Sequence, residues 1–544
     1  MRSPRKEQPR RDILSRLPKV VLSISNSQQL YLYHPLFVYI SEDSMASFMF
    51  SKSATVSLKR LPAKSRVLPF TRIGLIQPRR AFSVSPKQAM LTTELSEAEV
   101  SALRANKDRL ANDLHHSCQW GFGIRWGDGP TDTGMQRLTL SEEDKSVRDW
   151  FIETTKALKC DITIDEMGNI FAVRPGRRKD VPPTFIGSHL DTQPTGGRYD
   201  GILGVLSGIE TLKVIDEMGL ETEGGIGVVN WTNEEGARFP ISMVASGVWA
   251  DSIPLSRAHG LIEVPTVASL PTASSAPESL KSALEKIGYL GDVPCSYKAT
   301  PMAAHFELHI EQGPHLISAG QRVGVVTAVQ AYRWYRVNVT GRDTHTGTTA
   351  FQHRADALYA FAQMMVRARE VASSHGCLAS VGIVEAKPGS VNTVPGLVSF
   401  SLDIRGPETE LVATVEEKLR KEFDAIAAEE GKGIGKPCRV EWTVEFDSPA
   451  VKFHPDCIDC VQQSAEAVVA DTPEPKSLVR TIMSGAGHDS VFTSKRVPTS
   501  MIFVPCKDGL SHHPEEFCSA DDCATGASVI LQAVVRYDRK RFSS

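Results

Sequence analysis

Along most of the chain, short apolar runs alternate with longer amphipathic stretches. Thr184 to Ser188 and Gly225 to Trp231 read as strands, and Gly201 to Met218 between them reads as a helix. Ahead of these, Ser96 to Trp120 has the pattern of one amphipathic helix. Leu140-Ser141-Glu142-Glu143-Asp144 opens another, with a serine N-cap and an acid at the third helical position, close to a capping box. Such alternation predicts an α/β sheet covered by helices. Near Val329 the pattern changes. Arg333 to Thr340, Val381 to Glu385 and Val398 to Arg405 read as strands, while Ala355 to Ser373 and Glu408 to Glu430 read as long helices, and two helices among several strands suggest a compact α+β unit. After about Phe446 the α/β pattern returns, with a strand at Pro498 to Val504 and a last helix from Ser519 to Arg539. The chain is therefore expected to divide into a leader (1–93), a first α/β segment (94–328), an α+β insert (329–445) and a second α/β segment (446–540). The Pro- and Ser-rich stretch from Val264 to Ser282 reads as a surface excursion.

Length fits that division, since 544 residues exceed what one hydrophobic core usually holds. Charge adds to it. Residues 1–93 hold sixteen Lys or Arg against four Asp or Glu, so with a net charge of −3 the remainder carries about −15. An acidic body lacks the basic face that phosphate neutralisation needs; a small-molecule ligand is expected and a nucleic-acid partner is not. The apolar patch from Val20 to Ile40 is broken by Ser, Asn, Gln, His and Pro, short of the roughly 18 uninterrupted apolar residues of a membrane span, so no membrane partner is expected. Ten cysteines without regular spacing argue for reduced thiols, and Cys457 and Cys460 read as two thiols on one helix.

From Met45 to Thr93 there is no acidic residue, while nine Lys or Arg lie among Ser, Leu and Val. That is the composition of a mitochondrial transit peptide, and Arg79-Arg80-Ala81-Phe82-Ser83 resembles a matrix-protease cleavage site. Import with cleavage near Ser83 is expected; a leader that is not used would leave the protein cytoplasmic. Residues 1–44 carry Glu7, Asp12, Glu42 and Asp43 and fit a presequence poorly, which translation from Met45 would repair.

The densest chemistry lies in three blocks: Gly187-Ser188-His189-Leu190-Asp191-Thr192, Gly196-Gly197-Arg198-Tyr199-Asp200-Gly201 and Asn230-Trp231-Thr232-Asn233-Glu234-Glu235-Gly236. Each follows a predicted strand or opens a helix. Ligands of open α/β sheets gather beyond the carboxyl ends of strands, so the three loops can converge. An imidazole and several carboxylates suit Zn or Mn, and Asp200 could bridge two ions with its two oxygens. Asp191 could accept the second N–H of His189 and fix its tautomer. Glu234 and Glu235 would repel unless a cation neutralises one. Successive side chains at a strand end diverge, so one can ligate while the other faces substrate. His309 and Gln312 in the Glu307–Gly313 block, and His512 in Ser511-His512-His513-Pro514-Glu515-Glu516, are further candidates. His345, between Gly341 and Thr349, falls inside the insert and reads as an oxyanion or substrate contact. Arg405 at a strand end, with Asn392 before Pro395-Gly396, suits a carboxylate clamp. Ser484-Gly485-Ala486-Gly487-His488-Asp489 lacks the Lys-Ser/Thr of a phosphate loop and reads as a substrate-side loop.

These blocks, in this order, resemble the amidohydrolase branch of the aminoacylase and carboxypeptidase metallohydrolases: N-carbamoyl-L-amino acid hydrolases, allantoate amidohydrolases and the yeast-type β-alanine synthases (β-ureidopropionases). The resemblance runs from about Ser96 to Tyr537. It implies a split, zinc-peptidase-like α/β catalytic domain with an inserted α+β lid and dimerisation domain of four strands and two helices. It also implies that His189, Asp200, Glu235, His309 and His512 hold two divalent ions per subunit, Zn or Mn, with Asp200 bridging and Glu234 as general base. His345 looks like the lid histidine that reaches a neighbouring subunit's site in a homodimer. Asn392, Arg405, Tyr332 and Gln312 look like substrate contacts. Where allantoate amidohydrolases carry a substrate-contacting glutamine, Gln330-Ala331-Tyr332-Arg333-Trp334 presents Tyr332, in a string similar to the β-alanine synthases. Ala350 stands where Pro commonly follows the double threonine. The implied reaction cleaves an N-carbamoyl or ureido amino acid to the amino acid, carbon dioxide and ammonia. Allantoate, aminoacylase or aminopeptidase chemistry are the alternatives on this scaffold, and a metal-binding protein without catalysis is the alternative from another class.

Overall fold

A computed structural model describes residues 95–264, 277–429 and 435–543. The transit peptide expected at 45–83 and most of the excursion from Val264 to Ser282 lie outside the described residues.

The first and last α/β segments build one nine-stranded sheet. Its strands are β1 (Asp161–Ile164), β2 (Ile170–Arg174), β3 (Thr184–His189), β4 (Ile226–Trp231), β5 (Ala304–Ile310) and β6 (Val323–Val329). Five strands of a second sheet intervene: β7 (Ala331–Thr340), β8 (Leu378–Ser380), β9 (Val384–Lys387), β10 (Leu397–Gly406) and β11 (Arg439–Ser448). The large sheet resumes with β12 (Val451–Lys452), β13 (Val479–Ser484) and β14 (Thr499–Val504). Its order is β12–β6–β14–β5–β3–β4–β2–β1, with β13 alongside β6. The neighbours β14, β5, β3 and β4 are parallel and buried at every position, which is why they read as continuous apolar runs rather than alternating ones. Helices Ile202–Glu217 and Ala520–Lys540 pack on them. Among the described residues, no helix is long and apolar enough to cross a membrane. The ten cysteines form no disulfide, and Cys457 and Cys460 lie buried on helix Pro455–Val469.

The N-terminal helices differ from expectation in two respects. The single helix expected from Ser96 to Trp120 is two, Glu97–Ala102 and Lys107–Ser117. Gln532 reaches from the last helix to the carbonyls of Ser101 and Leu103, and the Asn106 side chain caps the restart by accepting from the Arg109 amide. A tertiary bond thus replaces helical continuation. Ser141 caps helix Glu142–Ala157 as expected, but Asp144 returns its bond to the Leu140 amide and pairs with buried Arg148, so the box is offset by one residue.

In the second sheet, the strand expected from Val381 to Glu385 is two pieces, β8 and β9, on one edge of β10. The register slips by one between Ser380↔Asp403 and Val384↔Phe400, and the Ser401 hydroxyl accepts the Gly382 and Ile383 amides across the break. Four strand positions remain, as expected. Tyr335, Val337, Phe400 and Leu402 face helices Ala357–Ser374 and Thr409–Glu429 in a separate core, so one face of this sheet is left for Tyr332, Trp334, Asp403 and Arg405.

Candidate metal centre and active site

The parallel strands bring the predicted chemistry to their carboxyl ends. His189 is the last residue of β3, Glu234 and Glu235 follow β4, His309 is the penultimate residue of β5, and His512 follows β14. Asp200 stands just before helix Ile202–Glu217. Gly201 between them has φ 67°, and a Cβ there would lie 2.3 Å from the His189 ring, so glycine alone lets this turn close on the imidazole.

Two donor groups result, His189–Asp200–His309 and Asp200–Glu235–His512, each with its ligand atoms within 4.8 Å of one another. Asp200 belongs to both. Its Oδ1 lies 3.0 Å from His309 Nε2 and 3.5 Å from His189 Nε2, and its Oδ2 lies 3.3 Å from His512 Nε2. Backbone carbonyls fix both buried imidazoles: His189 Nδ1 donates to the Asp191 carbonyl at 2.9 Å, and His309 Nδ1 donates to the Ile310 carbonyl at 2.8 Å. The expected partner of His189, the Asp191 carboxylate, is 3.9 Å away. It accepts the Glu234 and Glu235 amides instead, one on each oxygen, because the loop after β4 needs an acceptor there. With Nδ1 protonated, each Nε2 faces Asp200 as an acceptor, and His309 Nε2 also accepts the Gly201 amide at 3.3 Å. His189 Nε2 is buried and has no hydrogen-bond partner. Lone pairs converging on a carboxylate are an unfavourable arrangement unless a cation lies among them, and imidazole with carboxylate is a donor set for Zn or Mn. The residues therefore fit a divalent metal.

Without a cation a proton on Nε2 takes its place: burial opposes charge on both imidazoles, yet Glu234 and Asp200 carry His189 well up and Asp200 and Glu307 carry His309 up. Burial works against the Asp200 carboxylate, but the imidazoles of His309, His189 and His512 hold it well below the usual range. Burial pushes Glu234 well up, with Asp489 and Glu235 adding to the effect and His189 opposing it. Burial and the Asp200 charge push Glu235 up to about 7. Burial opposes charge on His512, yet the Asp200 hydrogen bond and the Glu235 carboxylate carry it up to about 9.

The family model described as Peptidase family M20/M25/M40 matches residues 185–536, which contain every one of these donors. The chain belongs to this family. An N-carbamoyl-L-amino-acid amidohydrolase of Rhizobium meliloti is 37% identical over 436 residues, covering 79% of this chain and 96% of the relative. A ureidoglycolate hydrolase of Oryza sativa subsp. japonica is 29% identical over 421 residues, covering 76% and 82%. The crystal structure of an amidase of the hydantoinase/carbamoylase family from Burkholderia multivorans superposes with a TM-score of 0.69 at 37% identity, covering 80% of this chain and 98% of that one. This M20-family chain is thus an enzyme, a hydrolase of the amidohydrolase kind, with the split α/β fold and α+β insert expected of it.

A cavity of about 280 Å³ opens over the donors of the M20 hydrolase. Glu234 and Glu235 both line it, Glu234 with an oxygen 3.5 Å from His189 Nε2 and Glu235 as a member of the second donor group. Tyr332 and Arg405, paired across β7 and β10 of the insert, line the same cavity. Gln312 lines it too, but its amide donates to Asp200 Oδ2 at 2.7 Å, so it steadies Asp200 rather than standing free for substrate. His345 and Asn392 are not brought to this cavity. They sit exposed on a small ribbon where Thr344–His345 pairs with Thr393–Val394. There the Gly347 and Thr348 amides donate to His345 Nδ1 at 3.1 and 3.2 Å, which leaves the hydrogen on Nε2.

Sequence reasoning missed several supporting residues of the M20 site. Gln193 donates to Glu235 through both its amide nitrogens, backbone and side chain. Glu516 accepts the Tyr199 and Asp200 amides. Asp403 grips the Arg405 guanidinium at 2.9 and 3.0 Å, and His488 packs 4.5 Å from the His309 ring. A two-residue offset along the strand from Arg405 was the available signal for Asp403. For Glu516 there was none beyond its closeness to His512.

Proposed function

We propose that this hydrolase cuts the C–N bond of N-carbamoyl (ureido) amino acids, releasing the amino acid, carbon dioxide and ammonia. The observation that carries the reading is that one small cavity is lined both by the shared-carboxylate donor set and by the Arg405 guanidinium. The donor set suits a carbonyl to be hydrolysed and the guanidinium a carboxylate. Two divalent cations, Zn or Mn, held by His189, Asp200 and His309 and by Asp200, Glu235 and His512, would supply Lewis-acid polarisation of the ureido carbonyl and a lowered pKa for water.

The chain's own groups do the rest. Arg405 binds the substrate carboxylate, and Tyr332 bounds the bound chain. Glu234 takes a proton from the attacking water and returns it to the amino-acid nitrogen as that nitrogen's bond to the ureido carbon breaks. The carbamate left behind decomposes to carbon dioxide and ammonia. His345, with its hydrogen on Nε2, is suited to donate to the oxyanion developing on the ureido oxygen. Since His345 and Asn392 lie off this chain's cavity, they serve a neighbouring subunit in a homodimer. The exposed apolar residues Leu358, Tyr359, Met365 and Val366 of the insert's first helix, with Leu378 and Val384 at the sheet edge, support that contact.

The test is ammonia release by the metal-reconstituted protein from N-carbamoyl-L-amino acids, N-carbamoyl-β-alanine, ureidoglycolate and allantoate. Glu234→Gln is expected to lower kcat by about a hundred- to ten-thousandfold with the bound metal unchanged. Normal turnover by that variant, or release from none of the carbamoyl compounds, refutes the proposal.

A further inference from the structure

The cavity wall beside Arg405 carries a chemical preference of its own. On β7, Tyr332 and Trp334 project from the sheet face opposite the helices, because Tyr335 and Val337, out of phase with them, are buried in the insert core. Both line the cavity. Their rings are 5.7 Å apart, and Phe446 of β11 backs them at 5.5 and 5.4 Å. Met243 lines the cavity from the α/β side, in a left-handed backbone conformation (φ 53°) with its amide donating to the Glu234 carbonyl at 2.7 Å. A Cβ on Gly487 would lie 2.9 Å from both the Met243 methyl and the Tyr332 hydroxyl, so the bare glycine is what lets thioether and ring approach here.

Arg405 sets the direction of approach. Its guanidinium lies 4.9 Å from the Tyr332 ring centre. Of its N–H groups, Nε and one on Nη2 go to Asp403 and one on Nη1 goes to the Gly485 carbonyl, which leaves one on each terminal nitrogen for an incoming carboxylate. A substrate carboxylate taken there starts beside Tyr332, and its ureido carbonyl has to reach the donor set within the same cavity. The carbon between them then lies in a space that Tyr332, Trp334 and Met243 all line.

Resting on the ureido amino acid reading, we infer that the preferred substrates carry a large apolar or aromatic side chain on the α-carbon, with Trp334, Tyr332 and Met243 as the residues that select it. A hydrogen at that position leaves the aromatic wall uncovered. A hydroxyl, as in ureidoglycolate, meets apolar surface with no partner. An unbranched β-amino acid offers nothing to pack.

The experiment measures kcat/KM of the metal-reconstituted full chain for the N-carbamoyl derivatives of L-phenylalanine, L-tryptophan, glycine and β-alanine, and for ureidoglycolate. The aromatic derivatives are expected to exceed the other three by about tenfold or more. Trp334→Ala is expected to shrink the phenylalanine-to-glycine ratio of kcat/KM by about tenfold, mainly through KM, and Trp334→Phe to retain most of it. A partly folded preparation scales both rates alike, so the ratio reads the wall alone. A glycine, β-alanine or ureidoglycolate substrate that equals or surpasses the aromatic ones, or a ratio unmoved by Trp334→Ala, overturns the inference and leaves the ureido chemistry standing. Hydrolysis of none of the five overturns the functional reading beneath it as well.

Discussion

Removing the Glu516 carboxylate is expected to loosen Asp200 without deleting any donor of the metal groups. Glu516 is 3% exposed. One oxygen accepts the Tyr199 and Asp200 amides at 2.9 and 3.0 Å, and the other lies 2.8 Å from the Ser511 hydroxyl, which also lies 3.0 Å from Asp200 Oδ2. That hydroxyl has one hydrogen for two carboxylates. Burial and the Asp200 charge push Glu516 up to about 7, so its own proton can fill the second position. Glu516→Ala leaves two buried amides without acceptors, at about 1–3 kcal/mol each. Because one of them belongs to Asp200, the disturbance should reach the metal groups as a ~10- to 100-fold loss of affinity. Glu516→Gln keeps an oxygen for the amides and puts an N–H toward Ser511, so it should bind within about threefold of the parent. Calorimetric titration of chelator-stripped protein with Zn or Mn measures the affinity, and hydrogen exchange at Tyr199 and Asp200 measures the local loosening. Parental affinity and exchange in Glu516→Ala would refute the reasoning.

Three further expectations concern other parts of the molecule. Burial pushes the His305 imidazole down to about 3 from 6.5. It is neutral when folded and gains a proton on unfolding, so stability is full above about pH 6.5 and falls on acidification toward pH 3, by ~1.4 kcal/mol per pH unit; His305→Gln should remove that much of the slope of unfolding stability measured between about pH 4 and 6, and an unchanged slope counts against it. Asp403→Asn should let Arg405 swing from its held orientation and raise KM for carboxylate-bearing substrates about tenfold with kcat within about threefold, whereas an equal fall in kcat would mean that Asp403 serves the chemical step. The basic, acid-free composition of residues 45–93 supports our proposal of mitochondrial import, and a fusion of that segment to a fluorescent protein should co-localise with mitochondria; a purely cytosolic signal would end the proposal.

Periodicity and local chemistry are properties of neighbouring residues, so they were legible along the chain. The buried runs of β3, β4 and β14, the long helices of the insert and the Ser141 cap all appear where their patterns lie. The three loop blocks likewise announced a metal-type site, because His189, Asp200 and the glutamate pair each sit at a strand end or helix start. Hydrogen-bond direction is another matter. Whether Asp191 turns its carboxylate or its carbonyl to His189 depends on which amides of the loop after β4 lack acceptors. The parallel order β14–β5–β3–β4 brings His512 and His309 to residues more than a hundred positions away. Gln312 bonds Asp200 instead of facing free space, and Glu516 and Asp403 act only through partners that folding delivers. For the same reason the ribbon of His345 and Asn392 does not line the cavity: it continues the paired strands β7 and β10 of the insert, not the α/β sheet. Residue type and spacing thus define which groups can do the chemistry. Strand order and the satisfaction of buried polar atoms decide which of them meet, and through which atom, because both are paid for in contacts between segments that no local pattern encodes.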